Sequence, residues 1–142
     1  MLKITTLRNA TRQADESWAI VRSFKSKSDW IKQVPALSPT PSLYNLALNL
    51  QKTGNWNDNT FMDIYVPQFI ADITNNEEAK HLLNYLVDAD KQGKTIALCC
   101  YCANEELCHR SIIAGILYGL DCNVETDENS AHYYYNKYSL TN

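Results

Sequence analysis

The sequence contains no long apolar run and no excess of basic charge. No stretch approaches the roughly 18 apolar residues of a membrane-spanning helix. The N-terminal segment MLKITTLRNATRQADE lacks the apolar core of about 7–15 residues that a secretory signal needs. Lys and Arg total 13 against 16 Asp and Glu, which gives a net charge of −3. We therefore expect a cytoplasmic protein without a membrane partner, and the charge argues against a general nucleic-acid binder.

The five cysteines do not form the pattern of a disulfide framework. Four of them (Cys99, Cys100, Cys102 and Cys108) lie within ten residues, and Cys122 follows later. In a reducing compartment, an odd and clustered set indicates thiol chemistry, metal binding or core packing rather than disulfides.

Apolar periodicity predicts a single α/β domain over residues 1–142. Strands are expected at residues 2–7, 18–24, 94–100 and 123–125. Helices are expected after an N-cap at Ser42 up to Gly54, at 59–74 with a break at Pro67, at 76–93 and at 108–120. The predicted inward residues of the first two helices are Leu43, Leu46, Ala47 and Leu50, then Phe61, Ile64, Tyr65, Phe69 and Ile73. The apolar run KTIALCC lacks polar alternation, which suits a central strand of a mostly parallel sheet in a compact three-layer domain.

Residues 98–111, LCCYCANEELCHRS, combine a strand end, a polar loop and a helix start. Open α/β sheets place ligands at the carboxyl ends of their strands, and a helix N-terminus favours anions. Arg110 and Ser111 stand at that helix start, and the forked guanidinium of Arg110 suits phosphate or carboxylate. His109 exchanges a proton near neutral pH. The same field would lower the pKa of Cys102 or Cys108 and make the thiol nucleophilic.

A metal site and a purely structural role are alternative interpretations of this segment. Cys99, Cys102, Cys108 and His109 supply four possible ligands for zinc, but adjacent Cys-His ligands are awkward for one tetrahedral ion. We therefore predict no metal and no cofactor. Each cysteine is also explained as a small core residue, and the tyrosine-rich tail 131–142 as the cover of a core edge.

The segment LCCYCANEELCHRSIIAGIL closely resembles the signature of the family called domain of unknown function 488, which has small bacterial and phage members. Cys100, Cys108, His109 and Arg110 fall on its motif positions. The resemblance spans about residues 18–125. WAIVRS resembles an early strand that carries an arginine (Arg22), ALSPTPSL resembles a Pro-Ser loop, and FMDIYVPQF resembles a Phe-x3-Tyr segment with Phe61 and Tyr65. The resemblance implies a compact α/β fold and no particular reaction.

The leading hypothesis is an enzyme or enzyme-like domain for a phosphate-bearing ligand, which is a nucleotide or nucleic acid. The candidate catalytic residues are His109, Cys108 and Cys100, and the candidate ligand-binding residues are Arg110, Ser111, Arg22, Tyr65 and Cys102. A second hypothesis is a non-catalytic protein that sequesters a nucleotide or inhibits a partner protein. In a third, Cys-His-Arg is only a structural network. The sequence does not indicate an oligomeric state.

Overall fold

A computed structural model describes residues 1–23, 29–102 and 107–127 of the chain. Five parallel strands form one sheet in the order β3-β2-β4-β1-β5. They are β1 (Leu2–Thr6), β2 (Glu16–Ala19), β3 (Ile31–Gln33), β4 (Ile96–Cys100) and β5 (Val124–Thr126). The predicted α/β class and parallel sheet are confirmed, and the arrangement is compatible with the predicted three layers. The tail 131–142 lies outside the described residues.

Strand β4 occupies the centre of the sheet, as its continuous apolar run predicts. All five of its residues are buried, and it pairs with β1 on one side and β2 on the other. In the register of these pairs, Cys100 is opposite Thr6 and Cys99 is opposite Ala19. Because every pairing is parallel, the carboxyl ends of β2 and β4 lie next to each other at one edge of the sheet.

Strand β2 is shorter than predicted and begins earlier. It covers Glu16–Ala19, whereas the predicted strand covers residues 18–24, of which residue 24 lies outside the described residues. The backbone of Ile20 still donates to the carbonyl of Cys99 at 2.9 Å, after which the chain leaves the sheet. Ile20 and Val21 are buried, whereas Arg22 and Ser23 are exposed. The apolar residues after Ala19 are therefore buried without being part of the strand. The apolar pattern of the sequence does not distinguish such burial from pairing with a neighbouring strand.

The first helix, α1, covers Pro41–Lys52. Its N-cap is Thr40, not the predicted Ser42, because the Thr40 hydroxyl accepts from the backbone of Leu43 at 3.2 Å. Pro41 occupies the first turn, where a helix needs no N–H donor. Leu43 and Ala47 are buried as predicted, but Leu46 is exposed.

A continuous helical segment follows and changes its hydrogen-bonding pattern before Pro67. It consists of α2 (Asp58–Thr60), a π-helical turn (Phe61–Tyr65) and α3 (Val66–Thr74). Pro67 has no N–H to donate to the preceding turn, which explains why a wider turn precedes it. Four of the five predicted inward residues are buried, whereas Ile64 is exposed.

The last two helices match their predictions closely. Helix α4 covers Glu77–Lys91, and Gly93 follows it with a φ of +79°, the left-handed conformation that glycine adopts readily. Helix α5 covers His109–Gly119 and is buried along most of its length. In the described part of the chain, no helix is both long and apolar enough to cross a membrane.

Candidate functional site

A cavity of about 580 Å³ opens at the carboxyl ends of β2 and β4. The chain that follows each of these strands lines it, together with one face of α1 and the start of α5. Its lining includes Arg22, Tyr44, Trp56, Tyr65, Cys100, Cys102, Cys108 and His109. This is the edge at which α/β proteins bind ligands, and the volume suits a small organic molecule. Six of the eight predicted site residues therefore line one cavity.

Three sulfur atoms converge at the floor of this cavity. The Sγ atoms of Cys100, Cys102 and Cys108 all lie within 4.8 Å of one another. Cys100 ends β4, Cys102 follows it by two residues, and Cys108 is the N-cap residue of α5. The Cys100 and Cys108 sulfur atoms are 3.1 Å apart. Cys99 is absent from this group because successive side chains of a strand point to opposite faces of the sheet.

His109 is buried behind the sulfur cluster, and its tautomer follows from its hydrogen bonds. Nε2 lies 2.7 Å from the carbonyl oxygen of Ile20, which only accepts, so Nε2 carries the proton. Nδ1 is then an acceptor, and it lies 3.6 Å from the Cys108 sulfur, whose thiol donates to it. Burial lowers the pKa of His109 below its ordinary value, so the ring is neutral.

Cys102 is the cysteine of the cluster whose pKa is lowered. The hydrogen bond from the Cys100 thiol lowers the pKa of Cys102 most, and the positive charge of Arg110 acts in the same direction. The pKa of Cys100 is raised, first because its thiol donates to Cys102. Burial raises the pKa of Cys108. Cys102 is therefore the cysteine of the cluster that ionises most readily.

Aromatic rings form a wall of the cavity. Trp56 meets Tyr65 edge-on, with ring centroids 5.4 Å apart, and Tyr65 stacks between Phe61 and Phe69. Burial raises the pKa of Tyr65, so its phenol stays protonated. Tyr44 projects from α1 and is 53% exposed. The sequence analysis did not predict Tyr44 and Trp56 as site residues. Tyr44 falls on the polar face of its predicted helix, and Trp56 lies in a predicted turn.

Arg22 supplies a positive charge at the cavity. Its Nε donates to the carbonyl oxygen of Pro39 at 3.2 Å, which fixes the side chain against the Pro-rich segment before α1. The carbonyl of Arg22 accepts from Gln33 at 2.7 Å. Arg22 is exposed, and its two terminal nitrogens carry the other four N–H donors of the guanidinium. The chain thus holds the arginine backbone and Nε in place beside the cavity.

Arg110 and Ser111 are not part of the cavity lining, contrary to the sequence prediction. Arg110 is 1% exposed, and its Nη1 lies 4.0 Å from a carboxylate oxygen of Asp127 after β5. Asp127 also accepts from the Thr5 hydroxyl at 3.0 Å. The Ser111 hydroxyl donates to the Cys108 carbonyl at 2.7 Å and is fully buried. Both side chains point into the domain because the first turn of α5 is itself buried.

This fold and site define an α/β domain with a cavity at the carboxyl ends of two parallel strands, and three cysteines and a histidine lie at its floor. The chain belongs to the domain of unknown function 488 family. A family model described as "Active DUF488-N3 subclade" matches residues 2–119, which include the first four strands in chain order and all of α5. No curated protein and no solved structure is detectably similar to the chain.

The ion pair of Arg110 is expected to contribute to stability. Replacing Asp127 by Asn leaves a buried guanidinium without its countercharge, which should lower the free energy of unfolding by about 1–3 kcal/mol in urea titrations. Glu77→Gln is the control, because the Glu77–Lys80 pair is exposed and should contribute less than about 0.5 kcal/mol. Equal effects of the two substitutions would contradict the assignment of Arg110 as a structural residue.

Cys102 is expected to react first with alkylating agents. It is exposed, whereas the other four cysteines are buried, and burial raises the pKa of both Cys99 and Cys122 to about 11. In folded protein treated with a chelator, iodoacetamide at neutral pH should modify Cys102 well before any other cysteine, as read by peptide mass spectrometry. Earlier modification of Cys99 or Cys122 would show that the geometry of the cluster is wrong.

Proposed function

We propose that this domain is an enzyme or enzyme-like protein that binds a nucleotide in the cavity at the carboxyl edge of the sheet. The observation that carries the proposal is the composition of that cavity. It combines aromatic walls, an arginine and a cluster of reactive sulfur atoms within about 580 Å³. A nucleotide is a ligand class that needs the first two of these features together.

The aromatic wall supports a flat ring as one part of the ligand. Tyr44 and Trp56 line the cavity, and Tyr65, which also lines it, packs edge-on against the Trp56 ring. Aromatic side chains stack on bases, and each such contact contributes about 1–3 kcal/mol. The surrounding lining is largely apolar, with Val21, Ala47 and Leu48 contributing to it.

Arg22 supports an anionic group as the other part of the ligand. It is an exposed residue that lines the cavity, and a guanidinium pairs with phosphate through two parallel hydrogen bonds. The sequence analysis predicted phosphate binding by both Arg22 and Arg110. Because Arg110 is buried beside Asp127, we assign phosphate binding to Arg22 alone.

The state of His109 supports the non-catalytic alternative as a second candidate. Both ring nitrogens have partners, Ile20 on one side and Cys108 on the other, so the imidazole has no free atom for a ligand. His109 then orients the Cys108 thiol and does not itself act as an acid or base. In this alternative the domain binds and sequesters its nucleotide without breaking a bond.

We would test binding by thermal shift with the four common nucleoside monophosphates and the matching nucleosides. A ligand at about a hundredfold its dissociation constant stabilises by roughly 2.7 kcal/mol, which corresponds to roughly 5–10 °C for a domain of this size. At least one nucleotide should reach this shift, and its nucleoside should shift the melting temperature less. Arg22→Ala should abolish the difference in shift between the nucleotide and its nucleoside. Tyr44→Ala should weaken the binding of the nucleotide and of the nucleoside alike.

Arg12→Ala is the matched control, because Arg12 is an exposed arginine that does not line the cavity. It should bind nucleotides like the unaltered protein. A panel without any shift, or an Arg22→Ala variant that keeps the preference for nucleotides, would refute the proposal. Chromatography of the bound nucleotide after incubation separates the enzyme from the sequestering protein, since only the enzyme changes its ligand.

A further inference from the structure

We propose that Cys100, Cys102 and Cys108 bind one thiophilic divalent cation of the zinc class at the floor of the cavity. This inference goes beyond nucleotide binding and does not depend on it. It rests on the convergence of three sulfur atoms from two separate elements, the end of β4 and the N-cap of α5.

The distances between the sulfur atoms suit a common ion. Zinc binds thiolates at about 2.3 Å, which places two sulfur ligands of a tetrahedral site about 3.8 Å apart. All three sulfur atoms are within 4.8 Å of one another, so the site needs only small side-chain movements. The Cys100–Cys108 pair, at 3.1 Å, would widen as the ion enters between them.

The burial of the three cysteines fits an ion that arrives from the cavity. Cys100 and Cys108 are buried, and Cys102 is exposed. Three sulfur ligands leave a fourth coordination position, and all three line the cavity, so this position is accessible to water or to a ligand atom. Core packing alone does not explain an exposed cysteine that is in contact with two buried ones.

The surroundings of the cluster also suit a metal ion. Zinc ligands are commonly held by hydrogen bonds from a second layer of residues. Here His109 is fixed through Nε2 on the Ile20 carbonyl, and in the metal-free protein its Nδ1 accepts from the Cys108 thiol and so positions that sulfur. The sequence analysis considered Cys99, Cys102, Cys108 and His109 as the ligands and predicted no metal because adjacent Cys-His ligands are awkward for one ion. In the structure Cys100 takes the place of Cys99, and the site does not require His109 as a ligand.

The test is a titration of the full chain, freed of metal by chelation and kept reduced, with Co²⁺ and Zn²⁺. Co²⁺ bound to thiolates absorbs in the near ultraviolet through charge transfer from sulfur, so the spectrum reports the ligand type directly. We expect this band to saturate at one ion per chain and Zn²⁺ to displace Co²⁺. Bound Zn²⁺ should also slow the alkylation of Cys102 by at least tenfold.

Cys102→Ser and Cys100→Ser should each lower the affinity for Co²⁺ by at least tenfold, and Cys122→Ser should bind like the unaltered protein. Cys102 is exposed, so Cys102→Ser is expected to fold even if Cys100→Ser does not. A folded protein without a charge-transfer band, or a Cys102→Ser variant with unchanged affinity, would overturn the proposal. Metal binding is measured without nucleotide, so its failure is distinguishable from a failure of nucleotide binding.

Discussion

The hydrogen bond from His109 Nε2 to the Ile20 carbonyl joins the two halves of the site. Ile20 lies directly after β2, and His109 is the first residue of α5. The hydrogen bond of 2.7 Å therefore connects the end of the strand to the start of the helix. It also determines the histidine tautomer and thereby directs the Cys108 thiol toward Nδ1. The Cys108 sulfur, which His109 contacts in this way, lies 3.1 Å from the Cys100 sulfur, so the contact reaches the sulfur cluster as well.

A second long-range contact involves Arg110, the next residue of the same helix, whose side chain is buried. Arg110 faces Asp127, which Thr5 of β1 also contacts, so the first turn of α5 is connected to both β1 and the chain after β5. Adjacent residues of α5 thus have different surroundings. His109 lines the cavity beside Cys108, whereas Arg110 is buried and faces the chain after β5.

The central strand and its following helix could be predicted from the sequence, because an unbroken apolar run and a helical stripe are local patterns. The direction of the Arg110 side chain could not be predicted from the sequence, because the residue it faces, Asp127, is 17 positions further along the chain. The exposure of Leu46 and Ile64 was missed for a related reason. Helical periodicity predicts an apolar face, but the neighbouring elements decide how much of that face is covered.

The most direct test of the account is to map where a nucleotide binds. We would record amide spectra of ¹⁵N-labelled protein during titration with a nucleoside monophosphate. The account predicts that the largest shifts fall on Arg22, Tyr44 and Cys102 around the large cavity. A second cavity of about 210 Å³, lined by residues including Lys3 and Asn9, serves as the internal comparison. Shifts confined to that smaller cavity, or none at either, would contradict the assignment of the carboxyl-edge cavity as the ligand site.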